Sequence, residues 1–264
     1  MKIEDSIVKA YLEKKPSSEY SNHWIFSNVI SDTNVFIEPP FERTTEVENC
    51  QKQLVKLYDN FILRNENLIH NVFHDAPAIV ENANILHTVG LPWPYTALMR
   101  THKDVDYIVF DLIHFSDGIL KGTDISAMVS NLLSHELIHV IINANYRHSY
   151  KQDYSYREML DFISFHEGFA HLLSYKENIE NYQPDDKYKA RFFEAKGKLA
   201  LALSEKNSAL QKQYLLESNT GEYWSKFAAA SSMIYLMKNI GSLREVYEAG
   251  WKGYAQSIID FAWA

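Results

Sequence analysis

The segment "NLLSHELIHVIINAN" (131–145) constrains the fold of this chain more than any other feature. Apolar residues fill most of its positions, and this pattern predicts a helix that is buried on nearly all sides. The motif HELIH interrupts the apolar surface with two histidines and a glutamate. His135 and His139 are four residues apart, so they share one face of a helix, one turn apart. Burying two histidines and a glutamate without partners is costly, so the sequence predicts that these three polar residues face a bound ligand.

The chemistry of HELIH favours a metal ion. Two imidazoles at this spacing can reach one zinc ion at about 2.0–2.1 Å each. Glu136 projects roughly 100° away around the helix, beside such a metal rather than onto it. It is therefore predicted to be the general base that takes a proton from water. The chain has 11 histidines and could match HExxH by chance, but the strongly apolar helix favours a metal site.

A second motif, "HEGFAH" (166–171), follows in the next predicted helix. Glu167 and His171 share one face of that helix, whereas His166 points roughly 100° away. Gly168 removes a side chain next to Glu167, and this predicts a close approach between two helices. Catalytic zinc sites keep three protein ligands and one open position, so this motif is the predicted source of the third ligand.

The two motifs together resemble the gluzincin metallopeptidases, the superfamily of the thermolysin-like and aminopeptidase-N-like enzymes. The residues that carry the resemblance are HELIH and the EGFA stretch at 167–170. The resemblance implies that His135, His139 and Glu167 bind Zn2+ and that Glu136 is the catalytic base. It also implies a zincin-like core and hydrolysis of peptide bonds by metal-activated water.

Several features differ from the superfamily pattern. The 27 residues between His139 and Glu167 are more than is common there. His171 stands where thermolysin-like enzymes carry an aspartate that orients a ligand histidine. The resemblance therefore requires another group for that task, either Asp161, Glu158 or a backbone carbonyl. The exopeptidase motif G-x-M-E-N is absent, so aminopeptidase activity is not implied.

Two histidines of the second motif allow alternatives. His171 is either a neighbour of the metal site, which we favour, or a ligand that displaces Glu167 and gives a three-histidine site. His166 is expected to be a partly exposed histidine rather than a ligand.

The oxyanion of the reaction also needs a hydrogen-bond donor. The segment "GEYWSKFAAASSMIYLMKNIG" (221–241) resembles the helix that carries the catalytic tyrosine in aminopeptidase-like gluzincins. Tyr223 matches best and is the predicted catalytic tyrosine, with Tyr235 second and His148 third. A purely structural role for both tyrosines is the alternative, because the chain has 17 of them.

The remaining pattern predicts an α+β fold that is mostly helical. Helices are expected over 1–15, 44–65, 123–145 (capped by Thr123 or Asp124), 155–178, 186–216, 222–240 and after Gly241, with a loop at 89–95. The segment "DVDYIVFDLIHF" (104–115) is the best predicted strand. It resembles the edge strand that pairs with substrate in gluzincins, and a plain core strand is the alternative. We expect an N-terminal part with a small sheet (1–122) and a helical part with both motifs (123–264), together forming one compact catalytic unit.

Composition narrows the partners and the compartment. A net charge of -8 argues against nucleic acid. Cys50 is the single cysteine, which excludes an intrachain disulfide and a thiolate-only zinc site. Without an 18-residue apolar run or a signal-like N-terminus, the chain is predicted to be cytoplasmic, with no membrane partner. The expected substrate is a peptide or protein, and the oligomeric state is open. The alternative functions are a non-catalytic zinc-binding or scaffolding protein and a helical protein without metal.

Overall fold

The computed structural model describes residues 1–27, 35–146 and 154–263. It is mostly helical with a small mixed sheet of four strands, which confirms the predicted fold class at that level. The α-helices of the described residues are α1 (Ser6–Leu12), α2 (Thr44–Asp59), α3 (Glu66–Val72), α4 (Ala76–Glu81), α5 (Leu112–Leu120), α6 (Ile125–Asn145), α7 (Tyr156–Tyr175), α8 (Asp186–Ser204), α9 (Ser208–Asn219), α10 (Phe227–Lys238), α11 (Leu243–Ala249) and α12 (Tyr254–Asp260).

The chain forms two compact units. The first contains Met1–Leu63 and Pro77–Val140, and the second contains Arg64–Ala76 and Ile141–Ala264. The division into 1–122 and 123–264 rests on element type rather than on contacts, and it stays a prediction.

The sheet lies in the first unit. Its strands are β1 (Lys2–Glu4), β2 (Asn84–Thr88), β3 (Ala97–His102) and β4 (Val105–Asp111), in the order β1-β2-β4-β3. β2 pairs in parallel with β1 and β4, whereas β3 is antiparallel to β4. The prediction that this segment is an edge strand is therefore wrong, because β4 has a partner on each side, and β3 is the last strand of the sheet among the described residues.

The predicted strand 104–115 is also too long. It ends at Asp111, and the next residues begin α5. The Asp111 carboxylate caps this helix, accepting hydrogen bonds from the backbone N–H of Ile113 (3.0 Å) and His114 (3.2 Å). The apolar pattern of 104–115 predicts one continuous strand, but the cap at Asp111 ends the strand and begins a helix.

Other predicted boundaries also differ from the structure. Residues 2–4 form β1, so only part of 1–15 is helical. The predicted helix 44–65 ends at Asp59. The predicted helix 186–216 is interrupted at 205–207, where the Asn207 side chain caps α9. The loop predicted at 89–95 is confirmed.

A histidine and a tyrosine share a buried hydrogen bond in the first unit. The Tyr58 hydroxyl lies 2.9 Å from His87 Nε2, and both side chains are buried. Burial disfavours the charged imidazolium and lowers the pKa of His87 to about 4. Nearby, burial raises the pKa of Asp111 to about 6.

These pKa shifts predict that the free energy of unfolding depends on pH, and the substitution His87→Gln separates the contribution of His87. As the pH falls from about 6.5 to about 4, His87 takes up a proton in the unfolded chain but not in the folded one. The folded state therefore loses about 3 kcal/mol between pH 7 and pH 4 through this group. Asp111 acts in the opposite sense over part of this range, so wild type must be compared with His87→Gln. Urea unfolding from pH 4 to pH 7 measures the difference, and parallel curves for the two proteins would contradict the prediction.

In the second unit, α7 packs closely against α10. A Cβ atom placed on Gly168 would lie 1.7 Å from Ser232 Oγ and 2.6 Å from Ser232 Cβ. This confirms the predicted close approach of two helices at Gly168. The Ser232 hydroxyl is held in turn by a 2.8 Å hydrogen bond with the Tyr254 hydroxyl.

Both ends of α7 are fixed by side chains. Ser155 and Glu158 form a capping box at its start. At its end, Asn65 Nδ2 donates to the carbonyl oxygens of Leu173 (2.8 Å) and Lys176 (2.7 Å). The helix that carries the second motif is therefore held in the second unit independently of any ligand.

Helix α6 has the length and composition of a membrane span, with a mean hydropathy of 1.4 over the best 18 residues. Within the described residues it is the one helix that meets this criterion. Buried core helices of soluble proteins meet it too, and 56% of this stretch is buried. The absence of a membrane partner stays a prediction.

Candidate metal centre

Helix α6 presents the two histidines of HELIH to each other. The helix begins where predicted, because the Asp124 carboxylate accepts a 2.9 Å hydrogen bond from the Ser126 N–H. His135 Nε2 and His139 Nε2 are 3.2 Å apart, and the two rings are nearly perpendicular, at 82°, with centroids 4.8 Å apart.

This geometry resembles two ligands that converge on one ion. Ligands bound tetrahedrally to zinc at 2.0–2.1 Å lie about 3.3 Å from each other. A linear hydrogen bond between the two nitrogens would instead hold the ring centroids about 5.5 Å apart. The observed centroid distance of 4.8 Å is shorter, so the two rings are tilted away from a linear hydrogen bond.

Helix α7 supplies the third candidate. The ligand atoms of His135, His139 and Glu167 all lie within 4.8 Å of one another, and the three residues could hold a metal ion. The largest distance allowed between these candidate ligand atoms, 4.8 Å, is about 1.5 Å longer than the distance between two ligand atoms on a zinc ion. Two imidazole nitrogens and one carboxylate oxygen are a donor set that zinc accepts, so the residues fit the ion.

Glu136 lies on α6 between the two histidines and is buried. It does not belong to the group of three residues that could hold a metal ion. Its position one residue after His135 places its carboxylate on a different face of α6. The predicted role as a base needs this arrangement, in which the carboxylate is near the histidines without being a ligand.

His171 lies beside Glu167. Its Nε2 is 3.5 Å from Glu167 Oε2, and the side chains are 9% and 17% exposed. His171 is outside the three-residue group, and its place next to Glu167 leaves both of its predicted roles open.

His166 is buried, contrary to the expectation that it is partly exposed. Its ring packs on Phe162 with a centroid distance of 3.9 Å. The physical reason is that α7 is buried around most of its circumference, so the flank that a surface helix would expose is covered.

The carboxylates proposed to orient a ligand histidine are engaged elsewhere. Asp161 accepts hydrogen bonds from the backbone N–H of Gly253 and Ala255, both at 2.9 Å, and so caps α12. Glu158 accepts from the N–H and hydroxyl of Ser155. The suggestion that Asp161 or Glu158 orients a ligand histidine stays a prediction.

Tyr223 contacts the site through His171. The two rings meet edge to face, with centroids 4.9 Å apart, and the Tyr223 hydroxyl donates to Met233 Sδ at 3.2 Å. Thioether sulfur is a weak hydrogen-bond acceptor, so the Tyr223 hydroxyl can exchange this bond for one to a stronger acceptor. Burial raises the pKa of Tyr223 well above its usual value and keeps it protonated. The residue precedes α10, so the prediction that it lies on that helix is wrong.

Tyr235 is the second candidate donor. Tyr235 lies on α10, where its ring packs on Tyr254 (5.8 Å) and Phe261 (5.3 Å) within the second unit. This environment is that of a structural tyrosine. His148 lies outside the described residues.

Comparison of the chain with protein-family models, with curated proteins and with solved structures found no match. The resemblance to the gluzincins therefore rests on the two motifs. The geometry of His135, His139 and Glu167 is consistent with it.

Proposed function

We propose that the chain is a zinc-dependent peptidase of gluzincin type. The observation that carries the proposal is the convergence of ligand atoms from His135, His139 and Glu167 within 4.8 Å. Three protein ligands leave one position on the ion for water or substrate, and this is the pattern of catalytic rather than structural zinc sites. A buried Glu136 next to that pattern supports hydrolysis over storage of the metal.

Each residue has a role in this proposal. Zinc, when bound, supplies Lewis acidity for activating water and polarising the scissile carbonyl. The Glu136 carboxylate accepts the proton of the attacking water and delivers it to the leaving amine. Tyr223 donates its hydroxyl proton in a hydrogen bond to the oxyanion. Burial of Glu136 strengthens these charge interactions, because the surrounding medium is less polarisable than water.

The proposal includes the zincin-like core and the pairing of extended substrate with the sheet. Since β4 has a partner on both sides, we assign the pairing to β3. Extended peptides bind to many proteins by adding a strand to the outermost strand of a sheet. A cytoplasmic peptide or protein is the proposed substrate.

A non-catalytic zinc site is the second candidate, and the position of His171 favours it. With Nε2 3.5 Å from Glu167 Oε2, His171 could serve as a fourth protein ligand. Four protein ligands would close the site and give the ion a structural role. The chain would then bind zinc tightly without hydrolysing peptides.

Metal removal distinguishes the two candidates. Dialysis against a chelator should lower the melting temperature and abolish cleavage of a mixed peptide library, and added zinc should restore both. Loss of stability without any cleavage by the zinc-loaded protein would support the structural site and reject the peptidase. No change in either property would reject zinc binding altogether.

A further inference from the structure

Five aromatic residues of the second unit form a continuous cluster, which we call the aromatic patch. They are Tyr175, Tyr182, Tyr188, Tyr223 and Trp224, and each ring lies within 6.5 Å of at least one other. A 2.6 Å hydrogen bond joins the hydroxyls of Tyr175 and Tyr188. The rings come from α7, α8 and the segments before α8 and α10, so no periodic pattern in the sequence predicts the aromatic patch.

The aromatic patch begins at the candidate metal centre. Glu167 lies beside His171, and the His171 ring contacts Tyr223 at 4.9 Å. Tyr223 stacks on Tyr175, with centroids 5.9 Å apart and planes at 24°. It also meets Trp224 edge to face at 4.9 Å. An unbroken series of side-chain contacts therefore leads from a proposed zinc ligand to the far side of the patch.

Two cations lie on the faces of these rings. Lys176 Nζ is 4.2 Å from the centroid of Tyr182 and 5.3 Å from that of Tyr175. Arg191 Cζ is 3.9 Å from the centroid of Trp224. In the part of the chain that the structure describes, neither cation has a salt bridge to a carboxylate.

The Arg191 guanidinium group lies over the Trp224 ring, with Cζ 3.9 Å from the ring centroid. Stacking uses the face of the group and leaves the N–H donors along its edge for a second partner. A carboxylate matches that edge, because its two oxygens accept a pair of parallel hydrogen bonds. Lys176 adds a positive charge to the same patch.

We propose that Lys176 and Arg191 bind a carboxylate of the peptide substrate, so that the enzyme prefers acidic peptides. This inference rests on the proposed peptidase function, since it describes the substrate of the same site. The chain as a whole carries a net charge of -8 and repels acidic ligands at long range. A local pair of cations is therefore needed to hold such a substrate.

The spacing along α7 indicates which carboxylate is bound. Tyr175 follows Glu167 by eight residues, which is about 12 Å along a helix. An extended peptide advances about 3.3 Å per residue. The carboxylate should therefore lie three or four residues from the scissile bond, as an acidic side chain or as the terminal carboxylate.

Binding to a zinc-loaded Glu136→Gln protein tests the inference without requiring turnover. Ten-residue peptides carry one Glu at each successive position, with Gln in its place as the control, and each has a free or amidated C-terminus. Calorimetry should show about tenfold tighter binding for one or two Glu positions, or for the free terminus, equal to about 1.4 kcal/mol. Arg191→Gln should remove this preference, whereas Lys189→Gln, an equal charge change on α8, should retain it.

Equal affinities for the Glu and Gln peptides together with no effect of the free terminus would overturn the inference. Equal losses of preference in Arg191→Gln and Lys189→Gln would overturn it as well, since they would show a general charge effect. Wild-type cleavage, mapped by mass spectrometry, separates the two proposals. Cleavage without a preference for carboxylates would support the proposed peptidase function and reject the proposed preference for acidic peptides. Tighter binding of carboxylate-containing peptides without any cleavage would support the carboxylate-binding site and reject the proposed peptidase function.

Discussion

Glu136→Gln is expected to lower the rate of peptide hydrolysis by about 100- to 10,000-fold while zinc remains bound. Glutamine has nearly the shape of glutamate but cannot take a proton from water. The proposed zinc ligands His135, His139 and Glu167 are unchanged in this variant, so metal content should stay at the wild-type value. Steady-state cleavage and metal analysis of the same preparation measure both properties.

Glu81→Gln is the matched control for this substitution. Glu81 is exposed at the end of α4, and its replacement removes the same charge away from HELIH. Its rate should equal that of wild type. Wild-type hydrolysis by Glu136→Gln would remove the proposed mechanism, and loss of zinc from that variant would show that Glu136 is a ligand instead.

Gly168→Ala is expected to have the largest effect on stability. The new Cβ would overlap Ser232 Oγ at 1.7 Å and Ser232 Cβ at 2.6 Å. Rotation of the Ser232 hydroxyl can relieve the first overlap but not the second, so α7 and α10 must separate. We expect a loss of about 3 kcal/mol in the free energy of unfolding, measured by urea denaturation. Zinc affinity should fall too, because Glu167 is the neighbouring residue on α7.

Gly197→Ala provides the control. Gly197 is an exposed glycine of α8, and a Cβ there would meet no atom within 4 Å. Alanine should stabilise the protein by up to about 1 kcal/mol because it favours the helix. Adding Ser232→Gly to Gly168→Ala should restore part of the lost stability, since it removes both overlapping atoms. Equal stability of Gly168→Ala and wild type would show that the two helices are not in close contact.

The strongest sequence predictions concern helices whose ends are marked by capping residues. For α7, Ser155 and Glu158 stand three residues apart before an apolar run, and the structure contains the corresponding capping box. For α6, Asp124 precedes a long apolar stretch and caps it. Gly168 was predictable for a similar reason, because a glycine inside a strongly helical pattern needs a packing explanation.

The errors arise where a tertiary contact or a single capping side chain decides the outcome. Asp111 turns the second half of the apolar run 104–115 into α5, and no periodicity distinguishes a short strand from the start of a helix. β1 has three residues and forms through pairing with β2, a partner 82 positions away at the Lys2–Asn84 pair. The place of β4 inside the sheet depends on the same long-range pairing.

The site shows the same division. HELIH places His135 and His139 together because helix geometry is local. The exposure of His166, the partners of Asp161 and the aromatic patch depend on how α7 packs against segments far away in sequence. Spacing in the sequence holds no information about those contacts.

Zinc titration of wild type, Glu167→Gln and Glu177→Gln tests the central claim most directly. Glu177 is an exposed glutamate just after α7, so its variant carries the same charge change. Wild type and Glu177→Gln should bind one zinc per chain with equal affinity, and Glu167→Gln should bind it about 100-fold more weakly, or about 2.7 kcal/mol. Equal zinc affinity in Glu167→Gln and wild type would show that this carboxylate is not a ligand, and the proposed peptidase site would be wrong.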